Sequence, residues 1–258
     1  METTGTLATS QAWKLEAFRP RHSTRALGDH MVMGMPMPVI DLVVFDMAGT
    51  TVRDDGQVPV AFTAALAEYG VTVGAESIRR LRGASKRDAI LALLPPGTAR
   101  AGQAERAYAS FREHLARRYA GTAREVSGAA DVFAWLRGRG IRVALNTGFD
   151  RDTTHLLLTA LGWAAGTVDA IVCGDEVPQG RPAPYMIFRC MEATGVVSTG
   201  QVANVGDTVL DLRAGHNAGV RFNIGVLSGA HGQDVLAAEP HTHLLASVAD
   251  LPALLAGA

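Results

Sequence analysis

The chain has 258 residues, 48% of them hydrophobic and 19% charged, with a formal net charge of −1. That profile suits one larger globular domain, or a domain carrying a sizeable insertion, and excludes a disordered or fibrous chain. Near-neutrality offers no field to attract nucleic acid, and no apolar run is long enough to cross a membrane, so an anionic ligand must be held by a local cluster.

In chain order, residues 1–38 come first, with Arg19, Arg21 and Arg25 among small and polar residues and then a Met-rich stretch. They read as a loosely ordered N-terminal tail; an arm on another surface and a start site upstream of the true one are the competing readings. From Val39 the pattern turns regular. "VIDLVVFD" (39–46) is a nearly continuous apolar run, as a strand buried on both faces of a parallel sheet requires. Similar runs recur at 141–147, 169–175, 201–207 and 220–226, with amphipathic helix-length segments between them. Gly140, Gly162, Gly195 and Gly219 stand where helix-terminating glycines belong. The alternation predicts an α/β fold with a doubly wound parallel sheet. One interval is too long for a single crossover. Residues 56–125 read as helical throughout, an insertion placed over the carboxyl edge of a core made of 39–55 and 126–258.

The strand ends carry the polar residues. Asp46 ends the first strand and runs into "MAGTT", whose small residues, Gly49 and Thr50 among them, let backbone approach an anion. Thr147 and Gly148 end the second, offering a hydroxyl and an unobstructed amide. Arg181 sits in "GRPAP", a stiff loop, and Asp207 ends the fourth strand with Asp211 one helical turn later on the same face. Taken singly, each has a plainer role: a strand-end Asp often caps the next helix, Asp211 suits an exposed helix face, and Arg181 a loop anchor. Carboxylates converging with a hydroxyl and an arginine describe a site for Mg²⁺ and a phosphate-like group. His241 and His243 form a pair without a third ligand, in a segment that reads as a surface loop. Cys173 and Cys190 make neither a disulfide framework nor a metal-ligand spacing, which points to a reducing compartment.

"FDMAGTTV", "NTG", "GRPAP" and "VGDTVLD" resemble, in order, the four motifs of the haloacid dehalogenase superfamily, and the likeness spans roughly residues 40–255. The resemblance implies a Rossmann-like core with a helical C1-type cap at 56–125, a cytoplasmic enzyme, and Mg²⁺ as cofactor. By the same pattern Asp46 is the nucleophile, and the metal lies between its carboxylate, the Ala48 carbonyl and Asp207, with Asp211 on metal-bound water. Thr147 and Arg181 then stabilise the charge of the transferring group. Gly49, Thr50, Arg82, Gly83 and Gly148 fall among the implied substrate contacts.

Ala48 departs from the commonest form of this family, whose phosphatases place a second Asp there as general acid, a function worth roughly 10²–10⁴-fold. "DxAGT" and Arg181 instead resemble the phosphonoacetaldehyde hydrolase (phosphonatase) branch, which breaks a carbon–phosphorus bond by making the substrate aldehyde an imine on a cap lysine. Lys86, in "RLRGASKRDAI", stands at the matching place. Ser85 and Asp88 read as an N-cap and capping-box partner, which puts Lys86 at the first helical position, where the helix dipole and the nearby Arg82 and Arg87 lower its pKa. Simple clasping of a distal substrate group by this lysine is the alternative. Ala89, Gly56 and Phe149 replace a His, a Cys and a Tyr of that branch. The expectation is therefore a small phosphonate or phosphate substrate: C–P cleavage of phosphonoacetaldehyde or a close 2-oxoethylphosphonate, or, as the other reading, hydrolysis of a small-metabolite phosphate monoester. A homodimer is the oligomeric option that the resemblance brings with it.

Overall fold

The structure is a computed structural model that describes residues 40–97, 100–163 and 165–257. The N-terminal tail expected at 1–38 lies outside the described residues. Six strands form one parallel sheet: β1 Leu42–Phe45, β2 Arg142–Thr147, β3 Ala170–Cys173, β4 Val202–Gly206, β5 Phe222–Val226 and β6 His243–Leu245, in the order β3-β2-β1-β4-β5-β6. The chain builds outward from β1 on one side and from β4 on the other. The crevice where the order reverses therefore opens between those two strands, where open α/β sheets bind their ligands.

Among the described residues ten α-helices accompany the sheet: α1 Gln57–Ala67, α2 Ala75–Arg80, α3 Lys86–Leu93, α4 Arg100–Tyr119, α5 Ala129–Arg137, α6 Arg151–Ala160, α7 Tyr185–Thr194, α8 Val209–Ala218, α9 Gln233–Ala237 and α10 Leu251–Ala256. Alternation along β1 explains its unbroken apolar run. Val43 and Phe45 join a cluster with Val132, Phe133 and Leu136 of α5. Leu42 and Val44 join another with Met186, Ile187 and Cys190 of α7. Helices cover both faces, so both residue parities must be apolar.

Helices α1 to α4 all lie between β1 and β2. Their own core of Phe62, Leu66, Ile78, Ile90, Phe111 and Leu115 is continuous with that of the sheet, and the rings of Phe62 and Phe111 sit 4.6 Å apart. Two chain passages join this insertion to the sheet and are bonded side by side, Arg53 N–H to Arg124 O at 2.9 Å and Val126 N–H to Thr51 O at 2.8 Å. One sequence expectation is corrected here: His243 opens β6 on the sheet edge, its ring 5.5 Å from that of Phe222, where a loop was expected. At three residues β6 is too short to leave an alternation in the sequence.

Candidate active site

Strand register sets the geometry. Phe45 pairs with Leu145 on one side and Val205 on the other, so the residues just beyond those ends, Asp46, Asn146 and Thr147, and Asp207, emerge at one level. One carboxylate oxygen from each of Asp46, Asp207 and Asp211 lies within 4.8 Å of the others, and all three residues are buried. Asp211 reaches the group from the first turn of α8, whose start Thr208 caps: the Thr208 N–H donates to Asp211 Oδ2 at 3.0 Å and its hydroxyl at 2.5 Å.

Arg181 ties the cluster together. Nη1 lies 2.8 Å from Asp46 Oδ1, and Nε lies 2.9 Å from Asp211 Oδ1. Nη2 donates to the Asn146 backbone carbonyl at 3.0 Å and to the Asn146 side-chain oxygen. A planar guanidinium meets all of these at once, which a lysine ammonium cannot do. Asp207 accepts from the Thr50 hydroxyl at 3.0 Å and from the Ala230 N–H at 2.6 Å. Burial pushes Asp207 above the usual carboxylate range, with the Asp46 and Asp211 charges adding to it. Burial raises Asp211 as well, and Arg181 opposes the shift. Crowded all-oxygen donors of this kind suit a hard divalent cation, whose charge relieves their repulsion.

The insertion closes over this cluster through the loop before α3. Gly83, with φ of +86°, gives its carbonyl to Arg181 Nη1 at 3.2 Å, and a Cβ there would stand 2.3 Å from the Thr208 hydroxyl oxygen. The Lys86 N–H donates to the Gly148 carbonyl at 3.0 Å. A Cβ on Gly148 would meet the Ala84 carbonyl oxygen at 2.3 Å. Glycine is required at Gly148 because backbone docks on backbone there, and at Gly83 because of its positive φ and the Thr208 side chain packed against it. Lys86 is thereby drawn inward: the residue is 6% exposed, and its amine lies 5.0 Å over the Phe149 ring and donates to Ala84 O at 3.2 Å. Its pKa is pushed down to about 8, first by burial and then by the charge of Arg82, with Asp46 opposing.

The structure brings the expected residues Asp46, Lys86, Thr147, Arg181, Asp207 and Asp211 into one buried centre, with Gly83 and Gly148 at its closing seam. Three expectations change in detail. Ser85 precedes α3 as its N-cap, but its side chain makes no capping bond. Arg87 turns outward to Glu105 at 2.6 Å and is not among the main causes that lower Lys86, of which burial is the largest and Arg82 the next. The Gly49 and Thr50 amides close the turn on the carbonyls of Val52 and Met47, so here these residues shape the pocket of Asp207.

Several contributors had no signal by which to be found. Asn146 was visible only as a polar residue in an apolar strand. His231 accepts from the Val209 N–H at 3.0 Å through Nδ1 and bonds the Arg79 backbone, linking the loop after β5 to α2. Tyr108 and Arg112 of α4 reach Asp150, the N-cap of α6, from across the seam. Beside them runs a polar cleft of about 540 Å³ bordered by Ser85, Arg112, Gly148, Asp150 and Gly180.

A parallel α/β core with this row of strand-end carboxylates and an arginine marks a hydrolase of the haloacid dehalogenase class, and the family model described as haloacid dehalogenase-like hydrolase matches residues 40–219. The chain belongs to that family. Within it the chain is phosphonatase-like: phosphonoacetaldehyde hydrolases from Bacillus cereus and Bacillus thuringiensis are 31% and 32% identical to it, each over 208 residues, 74% of this chain and 77% of theirs. Among solved structures, a hydrolase from Pseudomonas syringae superposes with a TM-score of 0.76 at 21% identity, covering 84% of this chain and 98% of its own. A phosphonoacetaldehyde hydrolase-like protein from Oleispira antarctica gives 0.74 at 22% identity, over 88% and 96%. A predicted phosphoglycolate phosphatase from Haemophilus somnus gives 0.71 at 17%, over 85% and 99%, so the fold is shared across substrates. Among the described residues no helix is long and apolar enough to cross a membrane.

Proposed function

We propose that this enzyme hydrolyses the C–P bond of phosphonoacetaldehyde or a close 2-oxoethylphosphonate, through an imine on Lys86 and an aspartyl-phosphate on Asp46. The observation that carries this reading is the buried Lys86 amine with a lowered pKa, held at the closed seam within electrostatic reach of Asp46 while Ala48 supplies no proton donor. A bare amine attacks aldehydes, and burial raises its population near neutrality. The insertion acts as a cap, and its closure excludes water from the reacting groups.

The steps balance. The neutral Lys86 amine adds to the carbonyl carbon, takes one proton from solvent and loses water, giving a protonated imine; that proton returns to solvent when the imine is finally hydrolysed. Asp46 then attacks phosphorus, and the C–P electron pair moves into the imine to give an enamine, so no alkoxide needs a proton. The enamine takes a proton at carbon, and water hydrolyses the resulting imine to acetaldehyde and free lysine. A further water cleaves the aspartyl-phosphate to inorganic phosphate. Arg181, bonded to Asp46 and Asp211, orients the nucleophile and offers positive charge to the phosphonyl oxygens, and the Thr147 hydroxyl and the Gly148 loop border the same space. Mg²⁺ held by Asp46, Asp207, Asp211 and the Ala48 carbonyl would supply charge neutralisation when bound.

The test is Mg²⁺-dependent phosphate release from phosphonoacetaldehyde and from a panel of phosphate esters, for wild type and Lys86→Arg. Loss confined to the aldehyde is expected. Ester hydrolysis that dominates in wild type and survives the substitution would assign the enzyme to phosphate monoesters instead.

A further inference from the structure

The docked loop carries a second cation that the reaction above does not use. The Arg82 side chain is 10% exposed, and its Nη2 lies 2.6 Å from Asp54 Oδ2 in the passage from β1 to α1; the Asp54 side chain is 1% exposed. Among the described residues that oxygen accepts no hydrogen bond, while Oδ1 accepts from the Val58 N–H at 3.1 Å. Two more buried groups at this junction have no hydrogen-bond partner among the described residues: the hydroxyl of Tyr119, the last residue of α4 and 0% exposed, and Oε1 of Gln57, the first residue of α1. Native interiors rarely leave such groups unmet. Burial, and then the charges of Asp54 and Asp46, keep the Tyr119 phenol protonated, so it stands as a donor.

This corner belongs to the reacting centre. Gly83, adjacent to Arg82, bonds the same guanidinium that holds Asp46. The positive charge of Arg82 reaches both Lys86 and Asp207. Phosphonoacetaldehyde has nothing to offer here, because its phosphonyl group goes to Asp46 and its carbonyl to Lys86, leaving only a methylene. The Tyr119 hydroxyl lies within electrostatic reach of Asp54 and Arg82, and Gln57 follows Asp54 by three residues; an unmet donor and an unmet acceptor at this corner match a hydroxyl, which accepts and donates, better than a carboxylate, which only accepts. Charge points the same way. Four carboxylates, Asp46, Asp54, Asp207 and Asp211, face three cations, Arg82, Arg181 and Lys86 as ammonium or iminium, so a divalent cation leaves the closed site with a formal charge of one positive and a phosphonate dianion turns it negative. A second anion adds repulsion; a hydroxyl does not.

Resting on the phosphonatase-like reading, we propose that the preferred substrate is a 2-oxoalkylphosphonate bearing a hydroxyl group, bound between the Tyr119 hydroxyl and the Gln57 side-chain carbonyl against the Arg82–Asp54 pair. Tyr119 and Gln57 are thus specificity-determining residues. The experiment compares kcat/KM for phosphate release from phosphonoacetaldehyde, 1-hydroxy-2-oxoethylphosphonate, 3-hydroxy-2-oxopropylphosphonate and phosphonopyruvate, using the full-length Mg²⁺-loaded enzyme, Tyr119→Phe and Gln57→Leu. One hydroxylated substrate should exceed phosphonoacetaldehyde by about tenfold or more, with phosphonopyruvate slowest, and each substitution should collapse that ratio several-fold. Tyr119→Phe removes an atom without a hydrogen-bond partner among the described residues, so thermal unfolding should show an intact fold. Turnover of phosphonoacetaldehyde with no preference for a hydroxylated substrate, or a preference that survives both substitutions, overturns this inference and leaves the phosphonatase-like reading standing. Absence of phosphate release from every phosphonate overturns both.

Discussion

Lys86 offers the sharpest quantitative test of the proposed chemistry. A solvent-exposed lysine, with a pKa near 10.4, holds about 0.04% of its amine neutral at pH 7, whereas a pKa of about 8 leaves roughly 9% neutral, a gain of about 200-fold. The same shift sets a stability cost. Because the folded pKa lies below the ordinary lysine value, the fold binds fewer protons there than the unfolded chain. The contribution of Lys86 is therefore least unfavourable above that ordinary value, worsens as pH falls towards about 8, and is constant below. At pH 7 the cost is on the order of 3 kcal/mol, so Lys86→Met should raise the melting temperature while abolishing activity. The assay is borohydride trapping with acetaldehyde, which carries no phosphonate charge to disturb the amine, followed by mass spectrometry of the Lys86 peptide across pH 6–10. The trapping rate should climb about tenfold per pH unit and flatten near pH 8. A rate still climbing through pH 10, or an adduct on another lysine or none at all, refutes the reasoning.

Other outcomes follow from the same geometry. Asp46→Asn should abolish phosphate release, yet Lys86 should still be tagged by borohydride, which separates the two covalent steps. Arg181→Lys loses the fork that joins Asp46, Asp211 and Asn146, and steady-state kinetics should show kcat lower by about 10²-fold. Gly148→Ala places a methyl group 2.3 Å from the Ala84 carbonyl oxygen, so the cap loop should lift: circular dichroism should report an intact fold, and kcat/KM should fall by more than about tenfold. Asp207 and Asp211 have raised folded pKa values, so their contribution to stability is present at low pH and lost as pH rises through those values. Thermal scans should therefore show Mg²⁺ raising the melting temperature more at pH 8 than at pH 5.5, and Asp207→Asn should erase most of that difference.

Some of this was legible in the amino-acid order alone. Apolar runs buried on both faces, with helix-length segments between them, announced the parallel sheet, because hydrophobic periodicity is a local property of the chain. Asp46, Thr147, Arg181, Asp207 and Asp211 stood out because each follows a strand and so must reach the carboxyl edge. Lys86 was placed by resemblance of a short motif, and the Ala48 substitution was visible by inspection.

Only the tertiary structure decided what those groups experience. Burial, which dominates the Lys86 shift, depends on Gly148 letting two backbones meet and on Gly83 leaving room for the Thr208 side chain, across elements far apart in sequence, and no local pattern encodes that approach. The sequence made Arg87 a neighbour of Lys86, but helix geometry sent it to Glu105 instead. Asp54 with Gln57, Arg82 and Tyr119 come from three separated stretches, and their meeting is created by the return of the chain beside itself at Arg53 and Arg124. Local order sets which elements form and where their ends point; desolvation and unmet polar atoms are properties of the packed whole, and here they separate a general hydrolase scaffold from a specific substrate.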